Sequence, residues 1–465
     1  MEKIIIPLRQ IYLLLSIMIL LIAGCILFGI PLYYGLLIVI VFAVVICIRN
    51  GFHLPDLMDM IIGGVKECSS IFIIILLVGS LVAVWLASGI VPAMMYYGFN
   101  YIQKMNFLLA CFLITMLTAI VMGTALGTVS TIGVALLGLG KGLLIPESLL
   151  MGAIISGAFV ADKISPIAAL VNLTAKTTEV PYKDSAKQGM LTLLPAIGIA
   201  GGIYFFLGRG YTAELDAVKL DTYQNTIREF FNISPLMLLL PMLVIVLAFM
   251  GVKIIKNMAL GLLGGIIISV GYQRLEWTEI VRIILRGYKA VTSMEELNAI
   301  IKGGGVMPMI EAILIVLAAV ALNSIFEGTN MIAPMINGFL IKIKSKNELI
   351  AKTGFLSILL TVLTCDQTVG ILMPGKFLKQ KYKEIGLPRA ILARTIADTG
   401  VIIAPIIPWN VNAILITVIT GVSAVQYAPY TVLCYGLPII TLLFGAYGFV
   451  GEGDHTDLEK ATEIF

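Results

Sequence analysis

The sequence predicts an all-α polytopic membrane protein, with about 10–12 transmembrane helices in two inverted-topology repeats that contain broken or re-entrant helices. Three observations carry that reading. Of 465 residues, 59% are hydrophobic and 12% are charged, whereas a soluble domain carries about 25% charged residues. Apolar runs of about 20 residues recur along the chain, and the mean hydropathy is +1.03. Glycine, proline and charged residues interrupt several of these runs at corresponding places in the two halves.

A transmembrane barrel would instead show strands of about ten residues with alternating polarity. The net charge of +4 sits mostly in loops and reads as an orientation signal rather than a nucleic-acid footprint. Cys25, Cys47, Cys68, Cys111, Cys365 and Cys434 lie mostly inside apolar runs without paired or metal-type spacing, so they read as small buried hydrophobes. His53 and His455 are too isolated for a metal site. No cofactor is expected.

Lys3, Arg9 and the following apolar run resemble a signal peptide, and Ile22 to Cys25 resembles a lipoprotein cleavage box. The run nevertheless continues to Ile48 with a short break at Gly29 to Pro31, as two uncleaved spans do. This gives an N-terminal helical pair over 1–50. A first transporter repeat follows over 51–207, with spans at Ser69 to Ser88, Asn106 to Met122, Leu149 to Asn172 and Met190 to Leu207. The polar stretch Arg209 to Asn232 suggests a linker loop over 208–233. Connecting helices are expected over 234–290, with Gln273 to Lys302 polar and amphipathic. The second repeat, 291–450, holds Met307 to Ile325, a weaker piece at Ile332 to Ile341, Thr353 to Thr364, the irregular Ile391 to Asn412, and the last spans. Residues 451–465 form a polar C-terminal tail.

The halves echo one another at an offset of about 240 residues, as repeats of a transporter do. Ile61 to Val65 matches Ile300 to Gly304, and Gly123 to Ser130 falls on Leu363 to Gly370, setting Thr128 against Thr368. Leu144 to Pro146 resembles Gly386 to Pro388. Asp162 is matched with Asp398, and Pro166 to Asn172 with Pro405 to Asn410. The loop Gly375 to Arg394 is rich in Lys and Arg, while Gly138 to Ser148 has only Lys141. The positive-inside rule places the former in the cytoplasm and permits the latter outside, which supports inversion.

Four polar breaks carry the chemistry: Gly123 to Thr131, Asp162 to Asn172, Cys365 to Thr368, and Asp398 to Asn410. Broken backbone exposes carbonyls that ligate cations and N–H groups that attract anions. Asp162, Asp366 and Asp398 are candidate ion and proton carriers, because charge in hydrocarbon is costly unless it faces a cavity or partner. Thr124, Thr128, Ser165, Asn172, Thr368 and Asn410 are candidate cation or substrate ligands. Ser130 adds a further hydroxyl. Plainer readings stand beside these. Asp162 would pair with Lys163 or sit at the water interface, Asp398 would pair with Arg394 one turn earlier, and hydroxyls would bond back to their own helix. Glu311 and Glu327 are weaker candidates, and Trp409 would pack, line the pathway or anchor at an interface.

The chain resembles the NhaC family of bacterial sodium/proton antiporters over nearly its whole length. The matching residues are Trp85 to Gly89, Gly123-Thr124 with Gly127-Thr128, Ser156 to Ala158 through Asp162-Lys163 and Ser165-Pro166, Asp366-Gln367, Pro374-Gly375, and Asp398 with Gly400, Pro405 and Pro408 to Asn410. The resemblance implies a multi-pass carrier of the bacterial cytoplasmic membrane that exchanges sodium for protons. Its partners would be the lipid bilayer, a small ion or solute, and a second copy in a homodimer, with no nucleic acid. Ala169, Leu170 and Val171 stand where the family is polar, and Val401, Ile403 and Ala404 where it is often hydroxylated. Ala125 stands for a serine and Cys365 for a glycine. A more apolar site suits a second reading, antiport or symport of a small organic acid or amino acid driven by sodium or protons. A channel or sensor on the same fold is a third. An enzyme is not expected, because no nucleophile–base pair, metal cluster or phosphate loop is present.

Overall fold

The computed structural model describes residues 6–102, 106–142, 145–166, 168–211, 217–250, 252–294, 297–298, 301–331, 334, 343 and 345–446. The weaker apolar piece at 332–341 and the tail at 451–465 lie outside the described residues, apart from residue 334, as do Leu144 and Ile300 of the repeat matches.

The first half contains α1 (Leu8–Phe28), α2 (Leu32–Arg49), α3 (Leu54–Glu67), α4 (Ser69–Ala87), α5 (Ile90–Ile102), α6 (Phe107–Met122), α7 (Ala125–Thr128), α8 (Val134–Gly142), α9 (Glu147–Ala158), α10 (Ala161–Ile164), α11 (Ala169–Thr178) and α12 (Tyr182–Arg209). A connecting group follows: α13 (Ala217–Phe230), α14 (Leu239–Phe249), α15 (Ile254–Gly271) and α16 (Trp277–Arg286). The short strands β1 (Tyr288–Lys289) and β2 (Lys302–Gly303) pair antiparallel. The second half contains α17 (Val306–Gly328), α18 (Lys346–Thr364), α19 (Gln367–Glu384), α20 (Arg389–Ile396), α21 (Val411–Thr420), α22 (Ala424–Tyr427) and α23 (Val432–Ala446). The segment read as a linker loop is more ordered than composition suggested, while the amphipathic stretch of the expected connecting helices is helical as read. The linker carries α13, which packs on α5, and the stretch before β2 carries α16, which packs on α4.

Among the described residues, seven helices are long and apolar enough to cross a bilayer, or up to ten if each bent pair is one span. Phe107–Met122 and Ile255–Gly271 are apolar but shorter. Many large hydrophobic side chains point outward, including Leu20, Leu27, Phe28, Phe206 and Ile267. That pattern suits helices whose surroundings are lipid tails, where backbone groups must be satisfied within the helix. The chain is a multi-pass helical membrane protein.

Inside this shell the two halves repeat with a constant register. α6 ends at Gly123 in the left-handed conformation (φ 70°), and α18 ends at Cys365 in the same conformation (φ 60°). The next residues, Thr124 and Asp366, cap α7 and α19 with their side chains. Pro146 and Pro388 precede α9 and α20. Ala168 and Asn410 precede α11 and α21. Glu179 and Gly421 end those helices in left-handed conformations, and Pro181 and Ser423 open the next. Each of these pairs is separated by the same 242 positions.

This corrects the register expected from residue identity. Asp398 corresponds to Ser156 rather than to Asp162. Thr368 corresponds to Leu126 rather than to Thr128, and Asn410 to Ala168 rather than to Asn172. Cap geometry is fixed by where helices stop, and several residue types satisfy it, so identity matching slid by a few positions. The repeats also pack reciprocally. α11 lies on α19, while α21 lies on α7, the π-helical turn Val129–Gly133, and α8.

Candidate ion and substrate site

Pro166 has no N–H and restricts Ser165 to extended backbone (ψ 127°), so the chain cannot run helically from α10 into α11. The matching chain in the second half is a π-helical turn at Ala397–Val401, a short 3-10 turn at Ala404–Ile406, and then α21, bent by 44°. Each break is tied to the end of the neighbouring helix at an equivalent carbonyl. Ser165 Oγ donates to the Ile120 carbonyl at 2.7 Å, and Trp409 Nε1 donates to the Val362 carbonyl at 2.7 Å. Ile120 and Val362 are themselves 242 positions apart. Trp409 thus caps a helix end, and Ser165 spends its hydroxyl doing the same.

The charged centre is an ion pair between Lys163 and Asp398, whose side chains are both 0% exposed. Lys163 comes from α10 of the first repeat and Asp398 from the π-helical turn of the second. The plainer of the sequence readings paired Lys163 with Asp162 and Asp398 with Arg394. The structure overturns both pairings, because successive helix residues point about 100° apart and Lys163 turns inward while Asp162 faces away. Asp398 Oδ2 accepts from Thr192 Oγ1 of α12 at 2.7 Å and from Thr441 Oγ1 of α23 at 2.6 Å. Lys163 Nζ also donates to Thr192 Oγ1 at 3.0 Å. Four elements therefore converge on one carboxylate. Thr192 and Thr441 were not singled out from the sequence, and their only signal is a hydroxyl within an apolar span.

The other predicted residues take distinct places. Asp162 is half-buried and meets the Ala125 backbone N–H at the start of α7. Asp366 is half-buried and accepts from the Thr368 backbone N–H. Thr124 accepts from Gly127 N at 3.3 Å. Thr128 and Ser130 donate back to the carbonyls of Thr124 and Gly127. Asn172 Nδ2 donates to the carbonyls of Pro166 and Ala168, both at 2.9 Å, and so closes its own break. Asn410 is buried. Its Oδ1 accepts from Asn412 N at 3.0 Å, and its Nδ2 has no partner among the described residues. Val411 N donates to the Cys365 carbonyl at 3.0 Å, which brings the two second-half breaks together.

The structure thus gathers Asp162 with the α7 start, Asp366 with Thr368, and Asp398 with Lys163. A cavity of 790 Å³ lies beside these elements and is lined by Trp85, Ser130, Lys141, Glu311, Pro408 and Thr417 among others. None of the three aspartates lines it. Ser130 and Pro408 bring it to the edge of the first and fourth breaks.

At the exposed end of α11, Glu179 joins the repeats. Its carboxylate accepts from Lys379 Nζ and from Arg389 Nη1, each at 2.6 Å. The hydrogen bond and charge of Lys379, reinforced by Arg389, hold the Glu179 carboxyl below the usual glutamate range.

Two helical repeats with broken helices, a buried charge pair at their interface and carboxylates at the breaks define a secondary transporter. Residues 157–449 match the model described as the Na+/H+ antiporter family. The chain is 31% identical over 399 residues to the Na(+)/H(+) antiporter NhaC of Bacillus subtilis (strain 168), covering 85% of this chain and 88% of the relative. It is 31% identical over 430 residues to the Na(+)/H(+) antiporter NhaC of Alkalihalophilus pseudofirmus, covering 92% of each. It is also 28% identical over 426 residues to the malate-2H(+)/Na(+)-lactate antiporter of Bacillus subtilis, covering 91% of this chain and 90% of that one. The chain belongs to the Na+/H+ antiporter family.

Proposed function

We propose that this protein is a sodium/proton antiporter of the bacterial cytoplasmic membrane. The observation that carries the reading is Asp398, a carboxylate buried between the repeats against Lys163, with two threonine hydroxyls on one oxygen. Once Lys163 releases it, a buried carboxylate holds either a cation or a proton, and its occupancy by one excludes the other. That competition supplies the coupling that antiport needs. Asp162, Asp366 and Asp398 carry the charge. Thr124, Thr128, Ser165, Asn172, Thr368 and Asn410 shape the breaks around them, several by capping and closing backbone rather than by direct ligation. The names of the two NhaC relatives support the same reading.

Proteoliposomes with an internal pH dye test it. A sodium step should move protons in the opposite direction, and Asp398→Asn should abolish that flux. Absence of sodium-linked proton flux at every pH would reject the activity. One observation favours a second reading, exchange of a small organic acid. The 790 Å³ cavity is far larger than a sodium ion needs, and its lining is mostly apolar. A relative carries malate and lactate in its name. Counterflow of labelled carboxylates in the same liposomes separates the two.

A further inference from the structure

The constant register lets each contact of one repeat be compared with its counterpart in the other. At 242 positions, α11 corresponds residue for residue to α21, and α19 corresponds to α7, the π-helical turn Val129–Gly133 and α8 together. The end of α11 is shut against α19. Thr178 is buried there, and a Cβ on Gly375 would fall 2.6 Å from Thr177 Cγ2. Glu179 then completes the closure by reaching Lys379 of α19 and Arg389 of α20, each at 2.6 Å.

The corresponding end of the second repeat is not shut. Gly421 stands in the place of Glu179, and Leu137 and Glu147 stand in the places of Lys379 and Arg389, so the acid–base clamp has no counterpart. Thr417, Thr420 and Gly421 after α21, and Leu137, Gly138 and Lys141 of α8, all line the 790 Å³ cavity. A Cβ on Gly133, the counterpart of Gly375, would sit nearest to Ile154, Thr128 and Val129 rather than to α21. One on Gly421 would meet nothing within 4 Å. Among the described residues, no side-chain hydrogen bond or ion pair joins α21 to α8. Thr417 and Thr420 bond back to their own helix, and Lys141 pairs with Glu147 at 2.9 Å.

Two repeats of one build thus stand in two arrangements, one shut and one open. Packed interfaces tend to have discrete alternative states rather than a continuum, and each repeat shows an arrangement that the other can adopt. The Glu179 end carries the lysine-rich loop, which marks it as cytoplasmic, and inversion of the second repeat sets the cavity end on the outer side. The clamp is also built to open. Glu179 and Arg389 are 56% and 40% exposed, and exposed ion pairs are individually weak because water replaces their partners. The buried Lys163–Asp398 pair has no such relief.

We infer that Glu179, Lys379 and Arg389 form the cytoplasmic gate of this carrier, shut in this structure while the outer path between α21 and α8 stands open, and that transport exchanges the two arrangements. The gate rests on the carrier class alone and serves whichever solute is exchanged. Because Gly421 supplies no matching clamp, Glu179 biases the resting protein toward the state with the cavity open.

The test uses the full-length protein in detergent, with its native cysteines in place, and a hydrophilic maleimide whose attachment is read site by site by peptide mass spectrometry. Thr417→Cys reports on the cavity and Thr178→Cys on the α11–α19 closure. With Glu179 intact, the cysteine at 417 should label readily and the one at 178 should be protected. Adding Glu179→Gln should slow labelling at 417 and speed it at 178, each several-fold. Arg389→Gln removes one ion pair and leaves the left-handed turn at Glu179 untouched, so it remains informative should the Glu179 variant fold poorly. It should shift both rates in the same senses by less. A clamp that only ties the fold together would, when cut, speed labelling at 178 without slowing it at 417. That result in both variants, or unchanged rates in both, would overturn the gate. A protected cysteine at 417 with the clamp intact would overturn the open outer path. No solute is added, so the outcome is independent of whether the protein exchanges sodium for protons, which the flux assay decides.

Discussion

Lys163 and Asp398 come from opposite halves of the chain and meet as an ion pair with no exposed side-chain surface. Each would be an uncompensated buried charge without the other. Removing one partner of a buried pair typically costs about 3–5 kcal/mol, whereas replacing both is often nearly neutral. Asp398→Asn alone should therefore lower the thermal unfolding midpoint in detergent much more than the double change Lys163→Gln with Asp398→Asn. All of these variants should lose sodium-linked proton flux. A double variant no more stable than Asp398→Asn would show that the pair does not couple the repeats.

Asp366 has two separable jobs. It caps α19 through the Thr368 N–H, and in the proposed mechanism it also carries charge. Asparagine caps a helix about as well as aspartate, while alanine costs roughly 1 kcal/mol. Asp366→Asn should keep stability within a few tenths of a kcal/mol and still lose most transport. Asp366→Ala should lose about 1 kcal/mol as well. Full transport in Asp366→Asn would reduce the residue to a cap.

The apolar runs and the proline and glycine breaks were legible in the sequence because bilayer thickness and backbone chemistry act locally. Gly123, Pro146 and Pro166 announce their own conformations. The partner of Lys163 was not legible. Asp162 stands beside it as a plainer partner, and nothing local reveals that α10 turns Lys163 toward a residue of the other repeat. The repeat was legible in order but not in register. Thr124 and Asp366 do the same capping job with different chemistry, and so do Ser165 and Trp409 at the helix-end carbonyls. Matching aspartate to aspartate therefore misaligned what the helix ends align. Arg394 showed only as a plainer partner for Asp398, and only the fold shows that Lys163 takes that place while Arg394 turns to Gln188.

The two repeats cross their helices at glycines. A Cβ on Gly157 would fall against Thr115 Oγ1 and the Phe112 carbonyl of α6. One on Gly400 would fall against Ser357 Oγ and the Ser357 carbonyl of α18. Ser357 and Thr361 already use this crossing, donating to the Gly370 and Gly400 carbonyls at 2.7 and 3.0 Å. Overpacking of this kind costs about 1–3 kcal/mol, so Gly157→Ala and Gly400→Ala should each lower the melting midpoint measurably. Gly198→Ala, where nothing lies within 4 Å, should leave it unchanged or raise it, since alanine is the better helix former by up to about 1 kcal/mol. Equal midpoints for all three would mean that these crossings are looser than the structure shows.

Glu179 closes one end of the repeat interface from a left-handed backbone (φ 57°), reaching both Lys379 and Arg389. Its carboxyl is held below its ordinary value, chiefly by the Lys379 hydrogen bond and charge. A depressed carboxylate stabilises the folded state at pH values above its unfolded-state pKa, about 4.3 for glutamate. That contribution fades as the pH falls through the lowered folded-state value. Glu179→Gln should consequently melt below the wild type at pH 6 to 8, and the gap should shrink as acid is added below about pH 4. The clamp is solvent-exposed, so its contribution should also shrink as salt rises, because the screening length falls from about 10 Å at 0.1 M to about 3 Å at 1 M. Melting curves of the two proteins across pH and salt check both trends. A gap that persists unchanged in acid would mean that Glu179 acts through packing rather than through its charge.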